Sequence, residues 1–387
     1  MSTQLVQEIP VFRPSISEAE IAASEESLRR GWLGMGSYVG QFENALGEFL
    51  ELEDRHVVAV STGHAALHLG LLLAGVGPGD EVITPSFNNI ADFQAILATG
   101  AAPVFCDVDD VTLCIDLDKA EDLVTERTKA IIAMDYDCLL CDHDRVADFS
   151  GRHGLRVIHD AAHSFGSRYQ GEMIGSFSDI TMFSFDPVKT ITTIDGGVLI
   201  VRTEEEAERL CEMRLIGMGQ PTGVMYQDRR AWTYDVNGLG FRYHMANLHA
   251  AIGLAQLARI EDITQSRRTT AKYYNQHLSA IAELRTPRTD FEGITPFLYY
   301  VRVPAERRET FREALRDQGI DTGIHWQPGH WFTLFKDCRR GDLTITEKVG
   351  REIVSIPLHS FMEDLERQRV VQAVQEFFGV SSCASPL

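Results

Sequence analysis

The stretch FSFDPVKTITTIDGG (183–197) sets one lysine, Lys189, among aromatic, hydroxyl and glycine residues, with Asp186 and Asp195 as the only other charges in it. A surface lysine normally sits among many charges. One carried at the end of an apolar strand is partly desolvated, which lowers its pKa and suits it to Schiff-base chemistry. The bland alternative is a lysine that snorkels out from the strand end. Two other features also sit where apolar runs stop. Asp160 closes LRVIHD (155–160), where a carboxylate is costly unless a cation meets it or it caps a helix. Ser61-Thr62-Gly63-His64-Ala65 follows HVVAV (56–60) as a small-residue turn into a helix. Such a turn offers backbone N–H groups and the helix dipole to an anion, or is a plain N-cap.

Each feature alone is a weak signal. An anion cradle, a buried acid and a desolvated lysine, each at a strand end, together form the set that pyridoxal 5'-phosphate requires. Its phosphate takes helix-terminal amides and a hydroxyl, its ring nitrogen a carboxylate, and its aldehyde a lysine.

The elements that must position this set alternate along the chain. Strands are predicted over 56–60, 81–85, 103–108, 129–136, 155–160, 180–185 and 197–201, and helices over 65–74, 91–99, 117–125, 142–153 and 204–216. Continuous β-branched runs between helices predict an α/β fold with a mostly parallel, doubly wound sheet covered on both faces. Ligands of such sheets sit at the carboxyl ends of the strands. A helical region over 245–281, the strand pattern PFLYYVRVP (296–304) and helices over 306–318 and 363–378 predict a smaller C-terminal α+β domain. The expected division is a large cofactor-binding domain, 1–260, with the N-terminal segment, and a small domain, 261–387.

Composition narrows the partners. The net charge of −20, from 56 acidic and 36 basic residues, repels phosphate backbones and argues against nucleic acid. It leaves room for a small phosphorylated ligand held by local donors. No run of about 18 apolar residues exists to span a membrane, and MSTQLVQEIPVFRPSIS does not read as a signal peptide. Seven cysteines, an odd number, predict reduced thiols and a cytoplasmic protein. Cys138-Leu139-Leu140-Cys141 would need a second pair to hold zinc, which Cys106, Cys114, Cys211, Cys338 and Cys383 do not supply, so no metal is expected.

The motifs STGHAALHL, GDEVITPS, DAAH, FSFDPVKTITT and GFRYHMANLHAAIG, in this order, resemble those of the sugar aminotransferases of the DegT/DnrJ/StrS group, which are fold-type I pyridoxal-phosphate enzymes. The resemblance runs from IPVFRPSISEAEI through SIPLHSFM, nearly the whole chain. It implies that Lys189 forms the internal aldimine and moves the proton during transamination, and that Asp160 pairs with the protonated ring nitrogen. It implies that Ser184 and the Gly63 and His64 amides hold the phosphate, and that Ala162 and His163 lie against the ring and near its hydroxyl. It further implies a homodimer with shared active sites, in which His244 reaches the phosphate of the neighbouring subunit.

The sequence departs from the group's pattern in three places. Asn89 stands where an aromatic usually stacks on the cofactor ring, and an amide plane there makes a weaker, more polar contact. Gly63-His64 replaces a Gly-Thr pair, and TTIDGG (192–197) replaces TTGEGG. These mark a specialised branch. SLRRGWLGMG (27–36) and GIHWQPGHWF (323–332) read as loops lining an acceptor pocket, with Trp32, His325 and Trp326 as substrate candidates or, equally, as core aromatics. The expected activity is transfer of an amino group from an amino acid, L-glutamate, to a keto-sugar carried on a nucleotide. The alternatives are an aminocyclitol acceptor, a lyase or dehydratase on the same scaffold, and a non-catalytic regulator. The regulator reading lacks a basic DNA-binding segment.

Overall fold

Seven runs of β-forming residues build one sheet in a computed structural model that describes residues 8–219, 222–230 and 232–380. In chain order the first strands are β1 (His56–Val60), β2 (Glu81–Pro85), β3 (Ala102–Cys106), β4 (Thr128–Met134) and β5 (Arg156–Asp160). A short hairpin, β6 (Arg168–Tyr169) and β7 (Glu172–Met173), precedes β8 (Ile180–Ser184) and β9 (Gly197–Val201). The sheet order is β1-β9-β8-β5-β4-β2-β3. Only β9 runs antiparallel to its neighbours. The carboxyl ends of β1, β2, β4, β5 and β8 therefore share one edge, and every strand-end feature singled out from the sequence lies along it.

The strands of β2, β8 and β9 are buried almost end to end, as a sheet covered on both faces requires. One face is covered by the helix Gly63–Leu73, whose residues Leu67, Leu69 and Leu71 pack with Val58, Ile158, Ile180 and Leu199. That helix is apolar around most of its circumference, as a helix buried in a core must be. The other face is covered by the helices Ser37–Phe49 and Asn247–Leu257, with Phe42, Leu46 and Ala250 packing on Phe183, Phe185 and Val198.

Beyond the sheet, β10 (Tyr299–Arg302) and β11 (Ile353–Ile356) form an antiparallel pair. The helices Arg308–Asp317 and Asp364–Phe377 belong to the same part of the chain. One apolar cluster is continuous from Ile83, Val104 and Ile131 of the sheet to Tyr299, Val354 and Val374. The N-terminal segment bonds to this C-terminal part. The Ile9 N–H donates to the Gly319 carbonyl at 2.8 Å, and the Leu358 N–H donates to the Val11 carbonyl at 3.2 Å.

Three predicted helical spans depart from the structure by more than two residues. The region 245–281 is two helices, Asn247–Leu257 and Ile260–Leu278, because Arg259 leaves helical geometry at φ −112° and ψ 13°. Its guanidinium instead meets Glu20 at 2.9 Å. The helix starting at Leu117 stops at Glu121, and that starting at Glu204 stops at Met213. The next residue, Arg214, is buried, and its guanidinium donates to Glu43 Oε1 at 2.7 Å and to the Ala59 carbonyl at 2.6 Å.

Candidate active site

Lys189 reaches its place through a turn closed by its own N–H, which donates to the Asp186 carbonyl at 3.0 Å. Pro187 sits at the second position of that turn, where its fixed φ is favourable. The Val188 N–H donates to Asp186 Oδ1 at 3.1 Å. The loop is tied back to the sheet by the Thr193 N–H on the Phe185 carbonyl at 3.0 Å and by the Thr192 hydroxyl on the same carbonyl at 3.2 Å. The lysine is thus held by backbone, and its amine is left for chemistry. Nζ lies over the Phe297 ring, 4.3 Å from the centroid, and among the described residues it forms no ion pair within bonding distance. Burial pushes this amine down to about 8, against the upward pull of Asp160, Asp186 and Asp92. An amine near neutrality is a competent nucleophile toward an aldehyde.

Asp160 is 4% exposed at the end of β5, and its Oδ1 accepts from the Ala162 N–H at 2.9 Å. Burial lifts its carboxyl above the ordinary range, while the Ala162 N–H and Lys189 draw it back. His163 is fully buried, with its Nδ1 accepting from the Asp137 N–H at 3.3 Å. That contact leaves Nε2 as the protonated ring nitrogen. Burial and the nearby Lys189 hold the imidazole well below its usual pKa, so it is neutral. Its ring packs against Phe297, at 4.3 Å between centroids, and against Trp326, at 5.9 Å.

Where β1 ends, the Thr62 hydroxyl caps the helix Gly63–Leu73 by accepting from the Ala65 N–H at 2.9 Å. Among the described residues the Gly63 and His64 amides have no acceptor at the helix start. A Cβ placed on Gly63 would lie 2.7 Å from both Cβ and Oγ of Ser184, so glycine is what keeps this concavity open. Gly197, at the start of β9, is equally constrained, since a Cβ there would meet the Thr62 carbonyl oxygen at 2.5 Å. Amides at a helix start beside a serine hydroxyl form an anion site.

These residues share one cavity of about 580 Å³, lined by Gly63, His64, Asn89, Asp160, Ala162, His163, Ser184, Lys189, His325 and Trp326. Every one was singled out from the sequence. Trp32 and His244 are elsewhere: they line a second cavity of about 710 Å³ with Arg230, Trp232, Tyr234 and Arg242. The first cavity also contains Phe12 and Phe297, which sequence reasoning missed. They stack on each other at 5.6 Å and 18°. Each reads in sequence as an ordinary core aromatic, and only the docking of the N-terminal segment on the C-terminal part brings them to Lys189. Cys138 and Cys141 are buried free thiols, as expected, and Cys383 lies outside the described residues. An amine-bearing lysine, an acid behind the cavity and an anion cradle fit pyridoxal phosphate in size and in donor set.

The sequence matches the DegT/DnrJ/EryC1/StrS aminotransferase family over residues 14–375. The chain belongs to this family. It is 35% identical over 377 residues to the spore coat polysaccharide biosynthesis protein SpsC of Bacillus subtilis (strain 168), covering 95% of this chain and 96% of that protein. Its structure is similar to that of the aminotransferase TlmJ from Streptoalloteichus hindustanus, with a TM-score of 0.88, 33% identity and coverage of 96% of this chain and 99% of that one. It is also similar to that of the sugar aminotransferase CalS13 from Micromonospora echinospora, with a TM-score of 0.86, 26% identity and coverage of 95% and 99%. The protein is accordingly a pyridoxal-phosphate-dependent aminotransferase of the fold-type I class.

In this DegT/DnrJ-type aminotransferase Asn89 has a structural task as well as a place at the cavity wall. It is the N-cap of the helix Ile90–Ala98, and its Oδ1 accepts from the Ala91 N–H at 2.9 Å. Asn89→Phe removes this cap, so the cofactor-free variant should lose about 0.5–2 kcal/mol, read as a lower thermal midpoint. The aromatic should nevertheless retain the amino form of the cofactor longer during dialysis of donor-treated enzyme. Equal retention with reduced turnover would instead assign Asn89 a hydrogen bond to the ligand.

The cradle makes a separate prediction. Gly63→Ala would set its Cβ 2.7 Å from the Cβ and Oγ of Ser184, an overpacking that outweighs the better helix propensity, so the cofactor-free fold should lose about 1–3 kcal/mol. The added methyl enters the Ser184 concavity, so cofactor should dissociate faster. Thermal denaturation of the cofactor-free protein and cofactor release on dialysis separate the two effects.

Proposed function

We propose that this aminotransferase moves an amino group from an amino acid, L-glutamate, to a keto-sugar carried on a nucleotide. The observation that carries the reading is the meeting, in one cavity, of the unpaired Lys189 amine, the buried Asp160 and the Gly63–Ser184 cradle. In this reading Lys189 holds the cofactor through its aldehyde and shuttles the proton. Asp160 faces the ring nitrogen, Ser184 with the Gly63 and His64 amides binds the phosphate, and His163 donates from Nε2 toward the ring hydroxyl. Bound pyridoxal phosphate supplies an electron sink for the amino-bearing carbon. His325, drawn down to about 4 by burial and by Lys189, is a neutral imidazole at the wall. With Trp326 it offers a polar and aromatic surface to a sugar. The names of the similar proteins, one a polysaccharide biosynthesis protein and one a sugar aminotransferase, support a sugar acceptor.

We further propose a homodimer in the cytoplasm. Trp232, which lines the cavity that holds Trp32 and His244, is 88% exposed, and Val236 and Leu239 in the same stretch of chain are 57% and 75% exposed. Apolar side chains grouped this way mark association surfaces. Sedimentation should give a dimer, and a fully active monomer would reject it.

Half-reactions test the chemistry. Purified enzyme mixed with a panel of amino acids should convert to the amino form with L-glutamate, and a nucleotide-linked keto-sugar should convert it back. Release of ammonia or water from the sugar with no amine transfer would establish a lyase or dehydratase instead.

A further inference from the structure

Next to Asp160, and not among the residues that line the cavity, lies a second carboxyl. Asp92, in the first turn of the helix Ile90–Ala98, is 0% exposed, and its side chain is in hydrogen-bonding contact with that of Asp160. Asn88 Nδ2 donates to Asp92 Oδ2. The other oxygen, Oδ1, is buried and receives no donor. Two ionised carboxylates cannot share a dry contact, because their repulsion is unscreened and one of them takes a proton. The orphaned oxygen beside a carboxylate is where such a proton belongs.

The surroundings decide which acid carries it. Asp160 lines the cavity, accepts the Ala162 N–H and feels Lys189 from the loop after β8. Behind it Asp135, just past β4, accepts from His143 Nε2 at 3.0 Å, His159 Nε2 at 2.7 Å, the Ser164 hydroxyl at 2.7 Å and the Cys141 N–H at 2.9 Å. With that many donors Asp135 stays ionised and adds a second negative charge near the pair. Asp92 has one amide donor and no exposure. The start of its helix favours an anion, and Asn88 and Lys189 draw its carboxyl down, but burial and the adjoining Asp160 outweigh them and raise it well above the usual range.

Resting on the reading of Asp160 as the partner of the cofactor's ring nitrogen, we propose that Asp92 is a neutral carboxylic acid that donates a hydrogen bond to the Asp160 carboxylate. It is a positioning residue: it lets Asp160 stay charged in a dry site without placing a second charge beside the ring.

The idea predicts an unusual tolerance. In Asp92→Asn the amide N–H can replace the acid O–H toward Asp160, and the amide oxygen can still accept from Asn88. Asp92→Val removes the donor at similar volume. Infrared spectra of the cofactor-free wild type at neutral pH should contain a protonated-acid carbonyl band that is absent from Asp92→Asn. With cofactor bound, the pH midpoint of the visible absorbance should be unchanged in Asp92→Asn and move by about one pH unit, a tenfold change in proton affinity, in Asp92→Val. The kcat should fall by about tenfold or more in Asp92→Val with little change in KM for the amino donor, and recover in Asp92→Asn. An unchanged acid band in Asp92→Asn, or a shifted midpoint in Asp92→Asn matching that of Asp92→Val, overturns the proposal. Absence of any visible cofactor band in the wild type would overturn the site reading, while the infrared comparison would still judge Asp92.

Discussion

Lys189→Ala is expected to abolish transamination and to leave no borohydride-reducible cofactor adduct. Loss of proton transfer alone removes roughly 10²–10⁴-fold in rate, and loss of the covalent attachment adds to this. A reducible adduct on another lysine would move the assignment. The same variant makes a stability prediction of definite sign. In the cofactor-free fold the Lys189 amine is lowered from 10.5 to about 8. Below that window the folded chain holds an ammonium that the unfolded chain solvates better, so burial costs stability there. Between the two values the unfolded chain binds more protons, and stability rises with pH. Denaturation of cofactor-free protein should find Lys189→Ala more stable than wild type at neutral pH, with the gap closing as pH rises through the window. A gap that widens with pH would reject the depressed amine.

Asp160→Asn is expected to separate stability from function. The amide keeps the shape but cannot keep the ring nitrogen protonated. Loss of one member of a buried, hydrogen-bonded charge pair typically costs about 2–5 kcal/mol, or about 30-fold to 5000-fold if all of it falls on the transition state. In the cofactor-free variant the amide can still take the Asp92 hydrogen bond and no charge is buried at this position, so it should unfold at an equal or higher temperature than wild type. Near-normal turnover with loss of stability would make Asp160 a structural acid rather than the ring partner.

Much of the site was legible because its signals are local. Lys189 and Asp160 stand out as charges closing apolar strands, and Gly63 as a small residue in a strand-to-helix turn. Pro187 announces the turn that Lys189 occupies. Asp92 was not legible, because an acid in the first turn of a helix normally reads as a solvated partner of the dipole. Phe12 and Phe297 were not legible either, since nothing local distinguishes a cavity-lining phenylalanine from a buried one. The helical stretch 245–281 was read as one helical region, and Arg259, a good helix former, gives no local sign of the break. The break there accompanies Arg259's pairing with Glu20, far away in the chain.

The sequence by itself determined the alternation of strands and helices, the parallel character of the sheet, and the chemical types gathered at the strand ends. Periodicity, turn residues and the solvation cost of charge act over a few neighbouring residues and leave their record there. The tertiary structure alone decided that β5 and β8 lie side by side, which brings Asp160 and Lys189 to one cavity. It alone separated Trp32 and His244 from that cavity and pressed Asp92 against Asp160. Those outcomes depend on strand order and on packing between distant segments, where burial and close contact change the charge state of a side chain without any trace in its sequence neighbours.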